Sequence, residues 1–269
     1  MFLPTITLEE PDLKNISSKI VRYTVPFAIA FFIEEIVCGV LGMIDITVWQ
    51  AVSSFLSGGF GPGSYYYPIL IQFVFWFPII FVIVKKYDFK GVLICAFINA
   101  AFEVLKSAYA MNEECYRLLL FRYTLLIAFG CYLAIGNSKI NKKTSFVMVV
   151  AGITYIIVFC YLGFTPPVTN YWTGTCIWAC LPIMPISIPL LKSEKLKNSA
   201  VEFLGKASYD IFLVQMVYYN GADIVYKMVD NRALQLLINI IICVSVGLVF
   251  YFVEKPVTKF VAQKLNLSV

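Results

Sequence analysis

The stretch Leu204–Tyr226 reads "LGKASYDIFLVQMVYYNGADIVY". It is apolar and long enough to cross a bilayer, since about 20 helical residues span about 30 Å of hydrocarbon. Yet Ser208, Tyr209, Asp210, Gln215, Tyr218, Tyr219 and Asp223 interrupt it. A spanning helix turns such groups toward other protein or toward water. Periodicity says which way they turn. With Ser208 at zero, Gln215 falls at about −20°, Tyr219 at about 20°, Asp223 at about 60° and Tyr226 at about 0°. Leu213, Val214 and Val217 lie opposite. The spacing therefore predicts one continuous helix over 208–226, with Ser208, Gln215, Tyr219, Asp223 and Tyr226 as the wall of a polar cavity. For any single Ser, Gln or Tyr, interhelical hydrogen bonding is the plainer reading. Asp210 is off the stripe, in a first helical turn where the macrodipole and headgroup water favour a carboxylate.

The rest of the chain fits this frame. Of 269 residues, 60% are apolar and 14% charged, against about 25% charged in a soluble domain. Hydropathy gives eight spans, at about 23–43, 65–84, 91–110, 117–136, 145–164, 174–191, 208–226 and 233–253. Pro182, Pro185 and Pro189 should kink the sixth. Most lysines and arginines fall on one side, in the groups Lys14, Lys19, Arg22; Lys85, Lys86, Lys90; Lys139, Lys142, Lys143; Lys192, Lys195, Lys197, Lys206; and Lys255, Lys259, Lys264. The positive-inside rule then places both termini in the cytoplasm. The fold class expected is all-α, a polytopic membrane helical bundle with eight transmembrane helices, preceded by a cytoplasmic leader over residues 1–18. There is no internal repeat, and a single domain over 1–269 is expected.

Other spans also carry polar groups. Asn99, Glu103 and Lys106 share one helical face, and Glu103 can pair with Lys106 at i,i+3. Arg117 and Arg122 reach the outer side of the fourth span. Glu34 and Glu35 are mid-span in the first, and Arg122 is a partner for one of them. The outer loop "SGGFGPGSYYY" is Gly-rich but lacks the lysine of a phosphate loop. Eight cysteines are scattered through apolar runs and histidine is absent. Those facts argue against a metal centre. No basic patch interleaved with aromatics points to nucleic acid.

Several segments carry a resemblance. They are "KIVRYTVPF", "GSYYYPILIQFVFWFPIIFVIVKKY", "YRLLLFRYTLLIAFGCYLA", "LGKASYDIFLVQMVYY" and "YFVEKPVTKF". In this order, covering residues 14–262, they resemble the acyltransferase 3 family of bacterial membrane O-acyltransferases. The resemblance implies a ten-span domain in the bacterial plasma membrane, with both termini cytoplasmic. It implies transfer of an acyl group, commonly acetyl from acetyl-CoA, to a hydroxyl of a cell-surface glycan. Acyl-CoA is then a co-substrate, and no bound cofactor is expected. The family's Arg-x-x-Arg motif for the CoA donor reads Lys19-Ile20-Val21-Arg22 here. Lysine keeps the charge for a phosphate but loses bidentate geometry.

The resemblance also implies two leading spans not present in this sequence, the first bearing a histidine base. Ten less two matches the eight spans counted from hydropathy. A partner that supplies those spans is one expectation. Acyl transfer to a hydroxyl needs a base near pKa 7. Gln215 and Tyr219 can orient an acceptor but do not replace imidazole. Glu103 or Asp223, raised by burial, is an alternative base, and Arg122 or a backbone donor can stabilise an oxyanion. Two rival readings remain: a carrier or flippase for a lipid-linked sugar, and a non-catalytic membrane subunit.

Overall fold

The computed structural model describes residues 13–44, 47–61, 63–135, 142–155, 157–158 and 200–267. Among them there is no strand, and the architecture is an all-α bundle. The helices are α1 (Leu13–Val40), α2 (Val48–Ser57), α3 (Tyr66–Tyr87), α4 (Phe89–Ala108) and α5 (Glu113–Arg117). A 3-10 turn over Leu120–Tyr123 leads into α6 (Thr124–Ala134), and α7 is Lys142–Tyr155. After the undescribed stretch come α8 (Ala200–Lys206), α9 (Ser208–Tyr219), α10 (Asp223–Met228) and α11 (Arg232–Lys264). Among the described residues, three helices have the length and apolarity to cross a membrane: α1 over Ile16–Val40, α3, and the 33-residue α11.

Several expectations change. The leader is helical from Leu13, so its last residues already belong to α1. The fourth expected span is interrupted between Arg117 and Thr124. The seventh is two helices, with Asn220–Ala222 between them. In the fifth, α7 accounts for the residues up to Tyr155; residues 159–164, the sixth span, Cys160, Cys176 and Cys180 lie outside the described residues.

The chain divides into two compact units. One comprises residues up to Trp76, Glu113–Leu119 and the segment from Phe203 onward. The other comprises Phe77–Asn112 and Leu120–Glu202. In the first unit, α1 and α9 run side by side in the same direction. The Tyr209 hydroxyl donates to the Tyr23 carbonyl at 2.9 Å, and the Asn220 amide donates to Glu34 at 2.8 Å. Both pairs are separated by the same 186 positions, so one register holds along both helices. Helix α11 runs the other way. Tyr218 donates to Asn239 at 2.8 Å near one end of α9, and Ile211 meets Gly247 near the other. A Cβ on Gly247 would stand 2.6 Å from Ile211 Cα, so only glycine permits this close crossing. The stripe Asn239, Cys243, Gly247, Tyr251, Glu254, Thr258 and Ala262 is buried along α11 from its third turn onward. Its steps of three and four are one helical face.

The core of this unit is Phe27, Ala30, Phe31, Leu213 and Met216. Phe55 and Phe60 from the connection between α1 and α3 pack onto it, as does Tyr67. The Tyr67 ring stacks on Phe27 at 3.8 Å. The Gly-rich stretch packs on protein. Its described residues run along α1 and α9, from Glu34 down to Phe212.

In the second unit, Phe102 packs on Phe121 and Phe89 on Tyr132. Val84, Val92, Cys95, Ala128 and Cys131 are buried. The Asn99 amide donates to the Phe121 carbonyl at 3.2 Å, where the 3-10 turn breaks the helical ladder.

Candidate functional site

Two buried polar centres lie in the first unit. The lower one joins α1, α9 and α11. Asp210 and Glu254 are both buried, at 4% and 6% exposure. Arg22 and Lys255 lie within electrostatic reach of both carboxylates. The Thr258 hydroxyl, one turn along α11, donates to Glu254 at 2.5 Å. Asp210 Oδ1 and the buried Ser18 Oγ have no hydrogen-bond partner. Buried carboxylates are tolerated when cations and donors surround them. Here the cations come from the exposed ends of α1 and α11. Lys19 is one turn before Arg22 on the same face of α1. Above this level the Tyr23 and Tyr209 rings meet edge to face at 5.6 Å, and Tyr66 closes on Phe212 at 4.5 Å.

The upper centre is Glu34, which is fully buried. Its Oε1 accepts from Gly61 N–H at 2.6 Å and from the Asn220 amide at 2.8 Å. Its Oε2 accepts from Phe60 N–H at 3.2 Å. Gly59, at φ 106°, is so close that a Cβ there would collide with Oε2. Asn220 also donates to the Met216 carbonyl at 3.2 Å, a helical carbonyl freed by the end of α9. One carboxylate thus holds the irregular backbone of the Gly-rich stretch and the break after α9. Irregular backbone at membrane depth is tolerated only when protein satisfies it.

The residues singled out from sequence distribute as follows. Lys19 and Arg22 sit beside the lower centre. Gln215 and Tyr219 are half-buried on α9, and Ser208 is exposed, its hydroxyl donating to the Gly205 carbonyl at 2.8 Å. Asp223 and Tyr226 are exposed on α10, and the Tyr226 hydroxyl accepts from the Asn239 amide at 3.3 Å. The five-residue stripe is not one helical face, because α9 ends at Tyr219 and the angular count does not carry across the break. The buried face of α9 is instead Asp210, Leu213 and Met216. Glu103 and Arg122 belong to the second unit. Glu103 is half-buried on α4; Arg122 is 3% exposed, its guanidinium 4.5 Å over the Tyr123 ring. Glu34 takes its bonds from the Gly-rich stretch and Asn220.

Sequence reasoning missed the Glu254–Thr258 pair and the function of Asn220. The i,i+4 spacing in "VEKPVT" signalled the first, and the Asn-Gly turn dipeptide signalled the second. Among the described residues, no group of three or more His, Cys, Asp or Glu is placed to hold a metal ion. No protein-family model, curated protein or solved structure matches the chain.

Proposed function

We propose that this chain is the membrane domain of an O-acyltransferase. One observation carries the reading. The segments "KIVRY", "ASYD" and "VEKP", far apart in the chain and all part of the family resemblance, meet at one end of the first unit. Tyr23 bonds to Tyr209, and Arg22 acts on Asp210 and Glu254. In this reading the eight expected spans cross the plasma membrane of a bacterial cell with both termini in the cytoplasm. The interrupted spans, α5 to α6 and α9 to α10, then cross as broken helices.

Lys19 and Arg22 take the phosphates of acyl-CoA from the cytoplasmic side. Asp210 and Glu254 lie within electrostatic reach of Arg22 and draw its guanidinium toward this end of the unit. The acceptor hydroxyl, on a cell-surface glycan, attacks the thioester carbonyl. A C–O bond forms, the C–S bond breaks, and the hydroxyl proton passes through a base to the CoA thiolate. The 269 residues contain no histidine. The reading therefore takes the base from outside these residues, and expects this chain alone to bind acyl-CoA without transferring it. Gln215 and Tyr219, both half-buried on α9, orient the acceptor.

The test has two parts. Purified chain should bind acetyl-CoA, and Arg22→Ala should weaken binding about tenfold or more, as loss of a charged phosphate contact does. Membranes holding the chain together with a histidine-bearing two-span segment should transfer labelled acetyl. A chain that neither binds acetyl-CoA nor supports transfer would sink the proposal.

A further inference from the structure

We propose that the last three turns of α11 form a binding surface for anionic phospholipid headgroups. Helix α11 has 33 residues and is therefore about 50 Å long. Its uncharged run from Ala233 to Val253 already covers about 30 Å, the thickness of the hydrocarbon core. The segment from Glu254 to Lys264 extends beyond it, through the headgroup layer.

The outward face of that segment is basic and apolar together. Lys255, Lys259 and Lys264 are exposed. Between them Phe252, Val257 and Phe260 are 61%, 42% and 58% exposed. Glu254 is the only acid from Asn231 to Leu267, and it is buried and bonded to Thr258. Along α11 itself, the outward face of this segment therefore carries cations and no exposed carboxylate. The Lys255 ammonium lies 3.7 Å over the Tyr251 ring, and that of Lys264 lies 5.7 Å over Phe260. The Lys255 ammonium also donates to the Tyr251 hydroxyl, so the outermost charges of the segment are those of the exposed Lys259 and Lys264, placed as lysines are at a membrane boundary. The opposite face, Glu254, Thr258 and Ala262, is already covered by protein.

This pairing selects a lipid over a soluble phosphate. A lipid phosphate meets the lysines while its glycerol and upper acyl carbons meet Phe252, Val257 and Phe260. Inorganic phosphate gains only the first contact and competes with water for it. Each lysine near an anionic membrane surface gives about a fivefold preference.

The experiment is native mass spectrometry of the full chain in detergent, with phosphatidylglycerol and phosphatidylcholine added in equal amounts. The parent should retain phosphatidylglycerol in several-fold excess. Lys255→Gln, Lys259→Gln and Lys264→Gln combined should bring the two lipids to parity, and the same positions changed to Arg should keep the excess. If the triple Gln variant does not fold, the single variants are read instead, each expected to lower the ratio. Equal retention by the parent, an unchanged ratio in the Gln variants, or displacement of the lipid by millimolar inorganic phosphate would each overturn the proposal.

Discussion

Residues 208–228 and 232–253 are both long and apolar, the first carrying Asp210, Asp223 and Lys227 and the second only Arg232, and they fold differently. The second belongs to one unbroken helix, whereas the first is α9 and α10 with a break at Asn220–Ala222. An unbroken helix satisfies its own backbone and needs its neighbours only for packing. Helix α11 shows this, with one buried stripe and a glycine at its closest crossing. A broken helix leaves carbonyls and amides that something else must meet. Here Asn220 meets the Met216 carbonyl and is itself held by Glu34. The same carboxylate takes the amides of Phe60 and Gly61. The comparison explains a charge in an apolar interior: Glu34 sits where three donors with no helical partner converge.

The largest way to break the comparison is at Glu34. Glu34→Ala leaves two buried N–H groups and the Asn220 amide without their acceptor. At about 1–3 kcal/mol for each unsatisfied buried group, the loss should be about 4 kcal/mol or more. Glu34→Gln keeps one carbonyl acceptor and should cost less. Thermal melts of the two variants in detergent read the order directly. A Glu34→Ala protein that melts with the parent would remove the clamp from this account. Next in size is Gly247→Ala. Alanine normally favours a helix interior over glycine by about 1 kcal/mol. Here its Cβ meets the Ile211 backbone, and the strain of overpacking should reverse the sign, to about 2 kcal/mol of destabilisation. Gly205→Ala, with open space around its Cβ, is the matched control and should be neutral or slightly stabilising. If both glycines respond alike, the close crossing of α9 and α11 carries no weight.

The sequence made the class of fold legible because hydropathy and span length are both one-dimensional quantities. The three helices α1, α3 and α11 lie where the apolar runs predicted them. The breaks were less legible, because no proline marks them. Between Arg117 and Thr124 neither proline nor glycine occurs. The Leu118 carbonyl there accepts from the Gln72 amide at 2.6 Å, a partner 46 positions away. At Asn220-Gly221 the signal was present, but apolar residues on both sides outweighed it. The angular stripe failed for the same reason, since a period holds only within one helix. Asp210 was assigned to headgroup water from its place in a first turn, but it faces Glu254 inside the bundle. What a window of sequence cannot supply is a partner from a distant segment. Glu34 with Asn220, and Asp210 with Glu254, are both of that kind.

Two smaller substitutions sharpen the contrast between buried and exposed hydroxyls. Thr258→Val keeps shape but removes the donor to buried Glu254. It should cost about 1 kcal/mol, the net scale of a hydrogen bond. A melt indistinguishable from the parent would mean that Glu254 finds another donor.

The smallest effect is expected at Ser208. Its exposed hydroxyl bonds back to the Gly205 carbonyl, one turn earlier. Such a bond competes with water on equal terms, so Ser208→Ala should change stability by no more than about 0.5 kcal/mol. That near-silence makes the variant informative about function. A cavity-wall position contacts an acceptor, whereas a helix-start position contacts only its own backbone. In membranes competent for labelled acetyl transfer, Ser208→Ala should leave the rate at the parental level, while Gln215→Ala, half-buried on α9, should lower it. The reverse order would restore Ser208 to the cavity wall and place the acceptor at the start of α9, beside Asp210.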